Sequence, residues 1–412
     1  MCSPAGLTGF LRLRSGQAPT RSHTYNIPVR ILISAGEASG EMYGAQLIEA
    51  LRRQDPSAEF FGVGGERMRA AGCDTVVHAA DLSVVGITEI LSHLPKIYRR
   101  FRRLLREADK RSPDLAVVID SPAFNWRVAR QMHKRGIPVV YYVCPQFWAW
   151  RQKRVRLLQK YVAKALVIFP FEEAFYREHG VDATFVGHPL ADLPNPTIGR
   201  EEYANRYKLS AAKEWITLMP GSRVKEIRMN LPAMLESATR LGWGYEYLLP
   251  VAPTVDPQFV AGLIGRPLPI RLVPEALPAL WHSRAGIVAS GTATVEAAMM
   301  SAPFVMVYRV SPLTYLLGRP RVKVSHFAMV NLIAGEEVVP ELVQGDFTAE
   351  KVVARLQEIL PFGPAREKML EGLSRVKSLL RGPSRPAGSV HPADRAAETI
   401  LQLMSRARTL SP

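Results

Sequence analysis

The chain has 412 residues, more than one hydrophobic core usually accommodates, and its length therefore predicts two domains. Its 47% hydrophobic and 22% charged residues exclude a largely disordered chain, and no apolar run approaches the ~20 residues that a membrane-spanning helix needs. The formal net charge of +16 indicates a polyanionic partner, which could be nucleic acid, an anionic membrane surface or a phosphorylated substrate.

Residues 1–28 contain several arginines and no acidic residue. Transit peptides, disordered tails and overlong starts share this composition. We expect a disordered tail outside the fold. The three cysteines, Cys2, Cys73 and Cys144, show neither metal-ligand spacing nor an even disulfide framework, which is typical of a reducing compartment.

Strand-like apolar runs alternate with helical patterns through the first half of the chain. The runs cover residues 29–35, 60–61, 115–119, 137–143, 165–170 and 184–189. This alternation predicts parallel strands joined by helices, that is, a βα-wound parallel sheet. The stretch at residues 62–65 (Gly-Val-Gly-Gly) resembles a dinucleotide fingerprint only loosely, because its third glycine is misplaced, and this argues against nicotinamide binding.

A basic amphipathic segment precedes the third of these runs. Apolar residues recur there at helical spacing and lead into a dense group of arginines; the segment comprises Ile87, Ile90, Leu91, Leu94, Ile97, Tyr98, Arg99, Arg102 and Arg103. A helix of this kind can lie on an anionic membrane surface. The alternative is a core-facing helix with a solvated basic flank, which is the commoner arrangement.

The run at residues 115–119 ends abruptly in Asp120, and Pro122 then prevents the strand from continuing. Five consecutive apolar residues are typical of a strand buried on both faces of a parallel sheet. In open α/β sheets, ligands bind just beyond the carboxyl ends of such strands, which is where Asp120 stands. The residues alone leave two interpretations open, a cap of the next helix and a catalytic carboxylate.

A proline-containing stretch at residues 192–198 has the composition of an interdomain linker, after which the alternation restarts. Further apolar runs cover residues 215–219, 247–251, 270–273, 286–289 and 304–308. The predicted fold class is therefore α/β, with two Rossmann-like parallel-sheet domains, residues 29–191 and 192–364, facing a cleft. We expect residues 365–412 to form a helical tail that packs back on the first domain or on a neighbouring subunit, as in a homodimer.

Two strand-to-helix turns of the second half are suited to binding phosphate. One comprises Gly221, Ser222 and Arg223, and the other Ser290, Gly291 and Thr292. Free amides and the positive end of a helix dipole favour an anion there, and arginine adds a bidentate fork. Ordinary helix caps have a similar composition, but two such turns in one half favour a diphosphate. Neither turn is a Walker A loop, and the lack of an Asp-x-Asp pair argues against a carboxylate-held metal ion.

Several motifs follow one another in order from residue 29 to about residue 380. They are residues 36–40, 62–65, 120–125 (Asp-Ser-Pro-Ala-Phe-Asn), 148–151 (Trp-Ala-Trp-Arg), 220–223, 290–293, Asn331 and 334–336. Each is weak alone, but the ordered set is highly specific. It resembles the lipid-A-disaccharide synthases, a family of bacterial glycosyltransferases with the two-Rossmann (GT-B) fold.

The resemblance implies a reaction. UDP-2,3-diacylglucosamine would donate its sugar to 2,3-diacylglucosamine 1-phosphate (lipid X), giving a β-1,6-linked disaccharide and UDP. The family inverts the anomeric carbon, which implies a single displacement in which one carboxylate takes the proton of the acceptor 6-hydroxyl. The resemblance makes Asp120 the leading candidate for this base. No cofactor and no metal ion are expected.

The resemblance also implies which residues bind the substrates. On the UDP side it places Arg223, Asn331 and the turn at residues 290–292, with Glu296 and Gln344 as weaker members. At the facing turn, Glu37, Ser39, Gly40 and Asn125 are expected to orient the acceptor or the donor sugar. By its position alone, Glu296 lies one helical turn beyond Thr292, where it either reaches ribose hydroxyls or is a solvated helix residue.

The sequence departs from the usual pattern of this family at four positions. Glu41 stands where Asp is usual, Cys144 replaces a common Ser, and Val330 replaces a common Pro. Ala123 stands where many relatives have Asp. Only the last departure bears on the chemistry, because it removes a second carboxylate near Asp120.

Both implied substrates carry acyl chains and phosphate, so we expect the basic amphipathic segment to dock on the inner leaflet of the membrane, with the protein peripheral on its cytoplasmic side. No nucleic-acid partner is expected, because the cations are spread through the chain without a recognition module. The competing hypotheses are another GT-B enzyme that uses UDP-N-acetylglucosamine (a transferase or an epimerase) and an NAD-dependent oxidoreductase. The stretch at residues 148–151 argues against the former and the poor glycine pattern against the latter.

Overall fold

The structure is a computed structural model, and it describes residues 28–82, 87–265, 269–312, 315–316, 324–382 and 391–409. The expected tail therefore lies outside the described residues, except for its last residue. Two parallel sheets are present, one in each half of the chain, which confirms the predicted fold class.

The first sheet has seven parallel strands in the order β3-β2-β1-β4-β5-β6-β7. The strands are β1 (Arg30–Ala35), β2 (Glu59–Gly64), β3 (Cys73–His78), β4 (Leu115–Ile119), β5 (Val139–Tyr142), β6 (Lys164–Val167) and β7 (Ala183–Phe185). All five residues of β4 are buried, as their uninterrupted apolar sequence predicts. The edge strand β3 was not predicted, because its partly exposed polar residues break the apolar pattern.

Helices connect these strands. They are α1 (Ala38–Gln54), α2 (Glu66–Ala70), α3 (Ile87–Arg111), α4 (Pro122–Lys134), α5 (Val155–Tyr161) and α6 (Pro170–Glu178). Their apolar faces cover the sheet, and the basic amphipathic segment lies at the start of α3.

The glycine-rich stretch at residues 62–65 is a packing feature. A Cβ atom on Gly62, whose φ is +149°, would overlap the carbonyl oxygen of Ile33 on β1. A Cβ atom on Gly65 would lie 2.5 Å from the carboxylate of Glu41, which caps α2 by accepting a hydrogen bond from the Arg67 amide at 2.8 Å. These glycines allow close approach of backbone and side chains within the domain.

The second sheet has six parallel strands in the order β10-β9-β8-β11-β12-β13. The strands are β8 (Glu214–Met219), β9 (Tyr245–Pro250), β10 (Ile270–Val273), β11 (Ala285–Ala289), β12 (Phe304–Tyr308) and β13 (Glu341–Val343). The helices are α7 (Arg200–Tyr207), α8 (Val224–Leu241), α9 (Pro257–Ile264), α10 (Ala276–His282), α11 (Thr292–Met299), α12 (Met329–Ala334) and α13 (Ala349–Ile359). The short edge strand β13 was not predicted.

Both sheets reverse their strand order at one point, and ligands of such folds bind there. In the first sheet the reversal lies between β1 and β4, so the turns after residues 35 and 119 meet. A Cβ atom on Gly36 would lie 2.5 Å from the hydroxyl of Ser121, which shows how closely the two turns approach. In the second sheet the reversal lies between β8 and β11 and brings together the turns expected to bind phosphate.

The C-terminal residues form two helices, α14 (Pro364–Arg381) and α15 (Pro392–Thr409). α14 packs on α11 and α12 of the second half, and Lys377 donates to the carbonyl of Met299 at 2.9 Å. α15 packs on α1 of the first half, where Asp394 pairs with Arg53 at 2.6 Å. The end of α14 also meets the first half, because the Leu380 carbonyl accepts from the His188 amide at 2.8 Å. The first helix of the expected tail thus packs mainly on the second half, whereas the second helix packs on the first half.

Candidate active site

Asp120 lies at the carboxyl end of β4 in a turn of unusual backbone conformation. Asp120 and Ser121 both adopt left-handed φ angles, 46° and 44°. The left-handed conformation costs a residue other than glycine about 1–2 kcal/mol of conformational free energy. Surrounding contacts therefore have to stabilise this turn. Pro122 begins α4 directly afterwards, and the Ser121 amide donates to the Asp120 carboxylate.

The pKa of Asp120 is raised to about 6. Burial is the largest cause, and the like charge of Glu37 is the second; the Ser121 amide and Arg223 act in the opposite direction. Ala123 is exposed and carries no charge, so the second carboxylate near Asp120 comes from Glu37 on the neighbouring turn. A carboxyl with this pKa is suited to act as a general base near neutral pH.

An ion pair crosses the cleft at this point. Arg223 of the second half lies 3.7 Å from the carboxylate of Glu37 in the first half and 3.3 Å from that of Glu226. The Arg223 side chain is 69% exposed, so the pairs contribute little to stability. Its guanidinium can therefore exchange these carboxylates for another anion.

The turn at residues 221–223 differs from the expectation. The carboxylate of Glu226 accepts hydrogen bonds from the amides of Ser222 at 2.9 Å and Arg223 at 3.3 Å. The helix thus supplies its own anion to the amides that precede it. The amides of Ser222 and Arg223 are occupied, and the exposed Arg223 side chain can bind a ligand.

The turn at residues 290–292 precedes α11, and no side chain among the described residues caps the N-terminus of this helix. Gly291 has a φ of +140° and, within the described part of the chain, neither a side-chain cap nor an atom within 4 Å of where its Cβ would lie. The Ser290 hydroxyl donates to the Phe327 carbonyl at 2.8 Å and so fixes the turn. Gly291 and Thr292 are exposed at the start of α11, which can hold an anion through backbone amides.

Glu296 on α11 and Tyr43 on α1 both have raised pKa values. Burial raises the pKa of Glu296 to about 7, so it is not the solvated helix residue of the alternative interpretation. Burial also raises the pKa of Tyr43 on α1, and the charges of Asp120 and Glu296 raise it further. The two acids that act on Tyr43 come one from each half of the chain. Sequence patterns do not distinguish this tyrosine, because its position in α1 resembles that of any core residue.

Two asparagines expected to bind substrate are buried and fully engaged within the protein. The Asn125 amide donates to the carbonyls of Ile119 and Asp120, each at 2.8 Å, and its oxygen accepts from the Ser34 hydroxyl at 2.7 Å. In this structure Asn125 therefore orders the turn at Asp120, and its expected contact with a substrate stays a prediction.

Asn331 is engaged within the protein in the same way, and its expected place on the UDP side stays a prediction. Its oxygen accepts from the amides of Val338 at 2.8 Å and Val339 at 3.0 Å, and its nitrogen donates to Glu341 at 2.8 Å. This residue shapes the loop before β13. Gln344, at a φ of 54°, pairs with the backbone of Val310 in the amide orientation that satisfies both groups.

Residues at the start of α1 have different environments. Ser39 is half-buried in the first helical turn, whereas Gly40 is buried, and a Cβ atom on Gly40 would lie 3.7 Å from both the side chain of Ala35 and the carbonyl of Ile119. The preceding Glu37 is the N-cap of α1 and is exposed beside Asp120. Glu37 and Ser39 thus border the cleft, while Gly40 faces the ends of β1 and β4 with room for a methyl group.

The tryptophan-rich stretch after β5 is anchored by a buried carboxyl. Trp148 donates to Glu172 at 2.8 Å, and Glu172 also accepts from the amides of Ile168 and Phe169. Burial raises the pKa of Glu172 to about 7. Trp148 borders a cavity of about 290 Å³ between the halves, whose lining is completed by Gln152, Phe171, Phe175, Val324, Ser325 and Leu332.

The basic amphipathic segment is helical, as predicted, and continues through Pro95 to residue 111. For residues 87–94 the structure describes only the helical backbone, and the predicted contacts of Ile87, Ile90, Leu91 and Leu94 therefore lie outside what it describes. Beyond them Ile97 is half-buried and Tyr98 is 59% exposed. Arg99, Arg102 and Arg103 are exposed.

Across the described ranges, no helix combines the length and apolarity of a membrane span. Nor does that part of the chain bring three or more His, Cys, Asp or Glu side chains together as a metal site.

Solved structures of similar architecture define the class of the fold. A glycotransferase of kitacinnamycin has a TM-score of 0.60 at 16% identity, covering 91% of this chain and 99% of its own. The UDP-GlcNAc 2-epimerase of Neisseria meningitidis has a TM-score of 0.61 at 11% identity, covering 92% and 100%. The chain thus has the GT-B fold of two facing Rossmann-like domains.

Sequence relatives define the family. The profile of the family described as lipid-A-disaccharide synthetase matches residues 31–380. The lipid-A-disaccharide synthase of Koribacter versatilis is 54% identical over 92% of this chain and 99% of its own length, and that of Myxococcus xanthus is 41% identical over 92% and 99%. The chain belongs to the lipid-A-disaccharide synthase family, and it is a UDP-sugar-dependent glycosyltransferase of lipid A biosynthesis.

Proposed function

We propose that the protein transfers 2,3-diacylglucosamine from UDP-2,3-diacylglucosamine to lipid X, with inversion, forming the β-1,6 lipid A disaccharide 1-phosphate and UDP. The observation that carries this proposal is Asp120, a carboxyl with a raised pKa at the switch point of the first sheet. It lies near Glu37, whose carboxylate reaches the guanidinium of Arg223 across the cleft.

In the proposed step the acceptor 6-oxygen forms a bond to the anomeric carbon while the bond from that carbon to the UDP oxygen breaks. Asp120 receives the proton of the 6-hydroxyl, and the electron pair of the broken bond leaves with UDP. The open amides at the start of α11 and the guanidinium of Arg223 stabilise the negative charge that develops on the diphosphate.

A single assay tests the proposal. The purified protein is incubated with UDP-2,3-diacylglucosamine and lipid X, and disaccharide and UDP are measured with and without EDTA. UDP release that requires both substrates and persists in EDTA supports the proposal. Failure to form disaccharide contradicts it, and interconversion of UDP-N-acetylglucosamine epimers would support the epimerase hypothesis instead.

The rate of the reaction should depend on pH through Asp120. Because a base acts in its ionised form, kcat/KM is expected to fall tenfold per pH unit below about pH 6. Glu37→Gln removes the like charge that raises the pKa of Asp120, so the acid limb should move to lower pH. Glu49→Gln, an exposed change of equal charge further along α1, should leave the limb in place. An unchanged limb in Glu37→Gln would show that another group titrates.

We further propose that α3 docks the protein on the anionic surface of the inner leaflet. Arg102→Glu combined with Arg103→Glu should weaken sedimentation with anionic vesicles by about 2 kcal/mol or more, or about thirtyfold, because each cation near such a surface contributes about 1 kcal/mol. Lys368→Glu with Arg406→Glu applies the same charge change to exposed residues elsewhere. Equal binding by both double variants would favour a solvated, non-docking helix.

A homodimer through the C-terminal helices is a separate proposal. In this chain α15 already covers α1, so its outward face would have to form the contact, or α15 would have to exchange between chains. Light scattering over a range of concentrations, with and without residues 391–412, measures the mass directly. A monomeric full chain at all concentrations would exclude the dimer.

A further inference from the structure

Side chains from three separate elements converge on the backbone at Asp120. The amide of Asn125 on α4 donates to the Asp120 carbonyl at 2.8 Å, and the hydroxyl of Tyr141 on β5 donates to the same oxygen at 2.9 Å. From β1, the Ser34 hydroxyl donates to the Asn125 oxygen at 2.7 Å. Ser34, Asn125 and Tyr141 are all wholly buried.

This network is specific for the left-handed conformation of the turn. The carbonyl that accepts both hydrogen bonds belongs to the peptide between Asp120 and Ser121, the two residues with φ near 45°. Rotation of either residue to an extended conformation would turn the carbonyl away. The Tyr141 hydroxyl would then be buried without this acceptor, which is costly. The Asn125 amide would keep only the carbonyls of Ile119 and Ser34.

The orientation of Asn125 depends in turn on Ser34. Because the Ser34 hydroxyl donates to the Asn125 oxygen, the amide nitrogen is directed to the carbonyls of Ile119 and Asp120. Ser34 lies opposite Val118 in the register of β1 and β4, so the network spans the switch point of the sheet. Each donor and acceptor is neutral, and the network therefore adds no charge beside Asp120.

We propose that Ser34, Asn125 and Tyr141 are positioning residues that hold Asp120 in its reactive place by fixing the backbone to which its carboxylate is attached. This inference rests on the proposed role of Asp120 as the base. Its consequence is that the network affects the rate of the proton-transfer step more than substrate binding, since a small displacement of a reacting group is enough to lower a rate substantially.

Tyr141→Phe tests the inference, because it removes one hydroxyl and preserves the buried ring. We expect kcat to fall about tenfold or more, with the KM of each substrate and the affinity for UDP within about twofold of the parent. The acid limb of the pH profile should move to lower pH, because a displaced carboxylate leaves its buried place beside Glu37. A solely structural hydroxyl would not move this limb.

Two tyrosines provide matched controls. Tyr142→Phe changes the next residue of the same strand, whose hydroxyl is buried without a hydrogen-bond partner among the described residues. Tyr247→Phe removes a buried hydroxyl that donates to Ala238 at 3.0 Å in the second half. Both variants should keep the parent kcat and pH profile. Equal losses of kcat in Tyr141→Phe and Tyr247→Phe would mean that the loss comes from general destabilisation of the fold, and this would overturn the inference.

Ser34→Ala is an independent second variant, which releases the Asn125 amide without touching the Asp120 carbonyl. A loss of kcat smaller than that of Tyr141→Phe, with the same shift of the acid limb, supports the positioning role. If Tyr141→Phe does not fold, Ser34→Ala alone tests this role. Parental kcat and pH profile in a folded variant overturn the inference. If Asp120→Asn is inactive while Tyr141→Phe keeps the parent kinetics, the positioning role is contradicted and the proposed function stands. If Asp120→Asn is active, the assignment of Asp120 as the base is contradicted.

Discussion

Asp120→Asn is expected to lower kcat by about a thousandfold or more, because general base catalysis typically contributes factors of 10²–10⁴ and the amide cannot accept the proton. The substitution preserves the shape of the side chain. UDP affinity should stay nearly unchanged, since the groups expected to hold the diphosphate lie at α11 and Arg223 in the second half. Single-turnover kinetics and calorimetric titration with UDP measure the two quantities.

Asp109→Asn is the matched control for this experiment. It neutralises an exposed aspartate that pairs with Arg135 at 2.7 Å on the surface and should leave kcat unchanged. A loss of UDP affinity in Asp120→Asn would give Asp120 a role in nucleotide binding. Substantial turnover in that variant would assign the base to another group.

The same substitution should stabilise the protein at neutral pH. The pKa of Asp120 is raised from 3.8 to about 6 on folding, so the ionised folded state is disfavoured above pH 6 by up to about 3 kcal/mol. This penalty shrinks as the pH falls from 6 towards 3.8. The Tm of Asp120→Asn should therefore exceed that of the parent at pH 7.5, with a smaller difference at pH 5. An equal or lower Tm at pH 7.5 would mean that the carboxylate is stabilised by its surroundings.

Arg223→Ala is expected to lower kcat/KM by about 10²–10³, because it removes a cation from the developing charge of the leaving diphosphate. It also removes the positive charge that lowers the pKa of Asp120, so the acid limb of the pH profile should move to higher pH. Arg223→Lys should recover only part of the activity, since an ammonium group cannot form the bidentate contact of a guanidinium. Steady-state kinetics as a function of pH check both effects.

Arg228→Ala provides the control for this prediction. Arg228 lies about one turn further along α8, is exposed and stacks on Phe259 at 5.2 Å. It should keep the parent kinetics. Equal losses in the two variants, or an Arg223→Ala enzyme with the parent pH profile, would mean that Arg223 does not act on the reaction centre.

Local patterns were sufficient for the parts of the protein that depend on neighbouring residues. The apolar run before Asp120 predicts a buried strand that ends at the ligand-binding edge of a sheet, and β4 lies there. The contact of Glu226 with the amides of Ser222 and Arg223 was not accessible in this way, because arginine is not an N-cap residue of the capping-box signature.

The sequence by itself determined the two βα-wound halves, the place of Asp120 and the family, since periodicity and ordered motifs are properties of short stretches. Only the tertiary structure decided what Asn125 does, because the Ser34 hydroxyl that orients it is 91 residues away along the chain. It also brought Glu37 to Asp120 in place of the carboxylate absent at Ala123. Hydrogen-bond partners and local electric fields depend on distances in space, and the fold sets those distances.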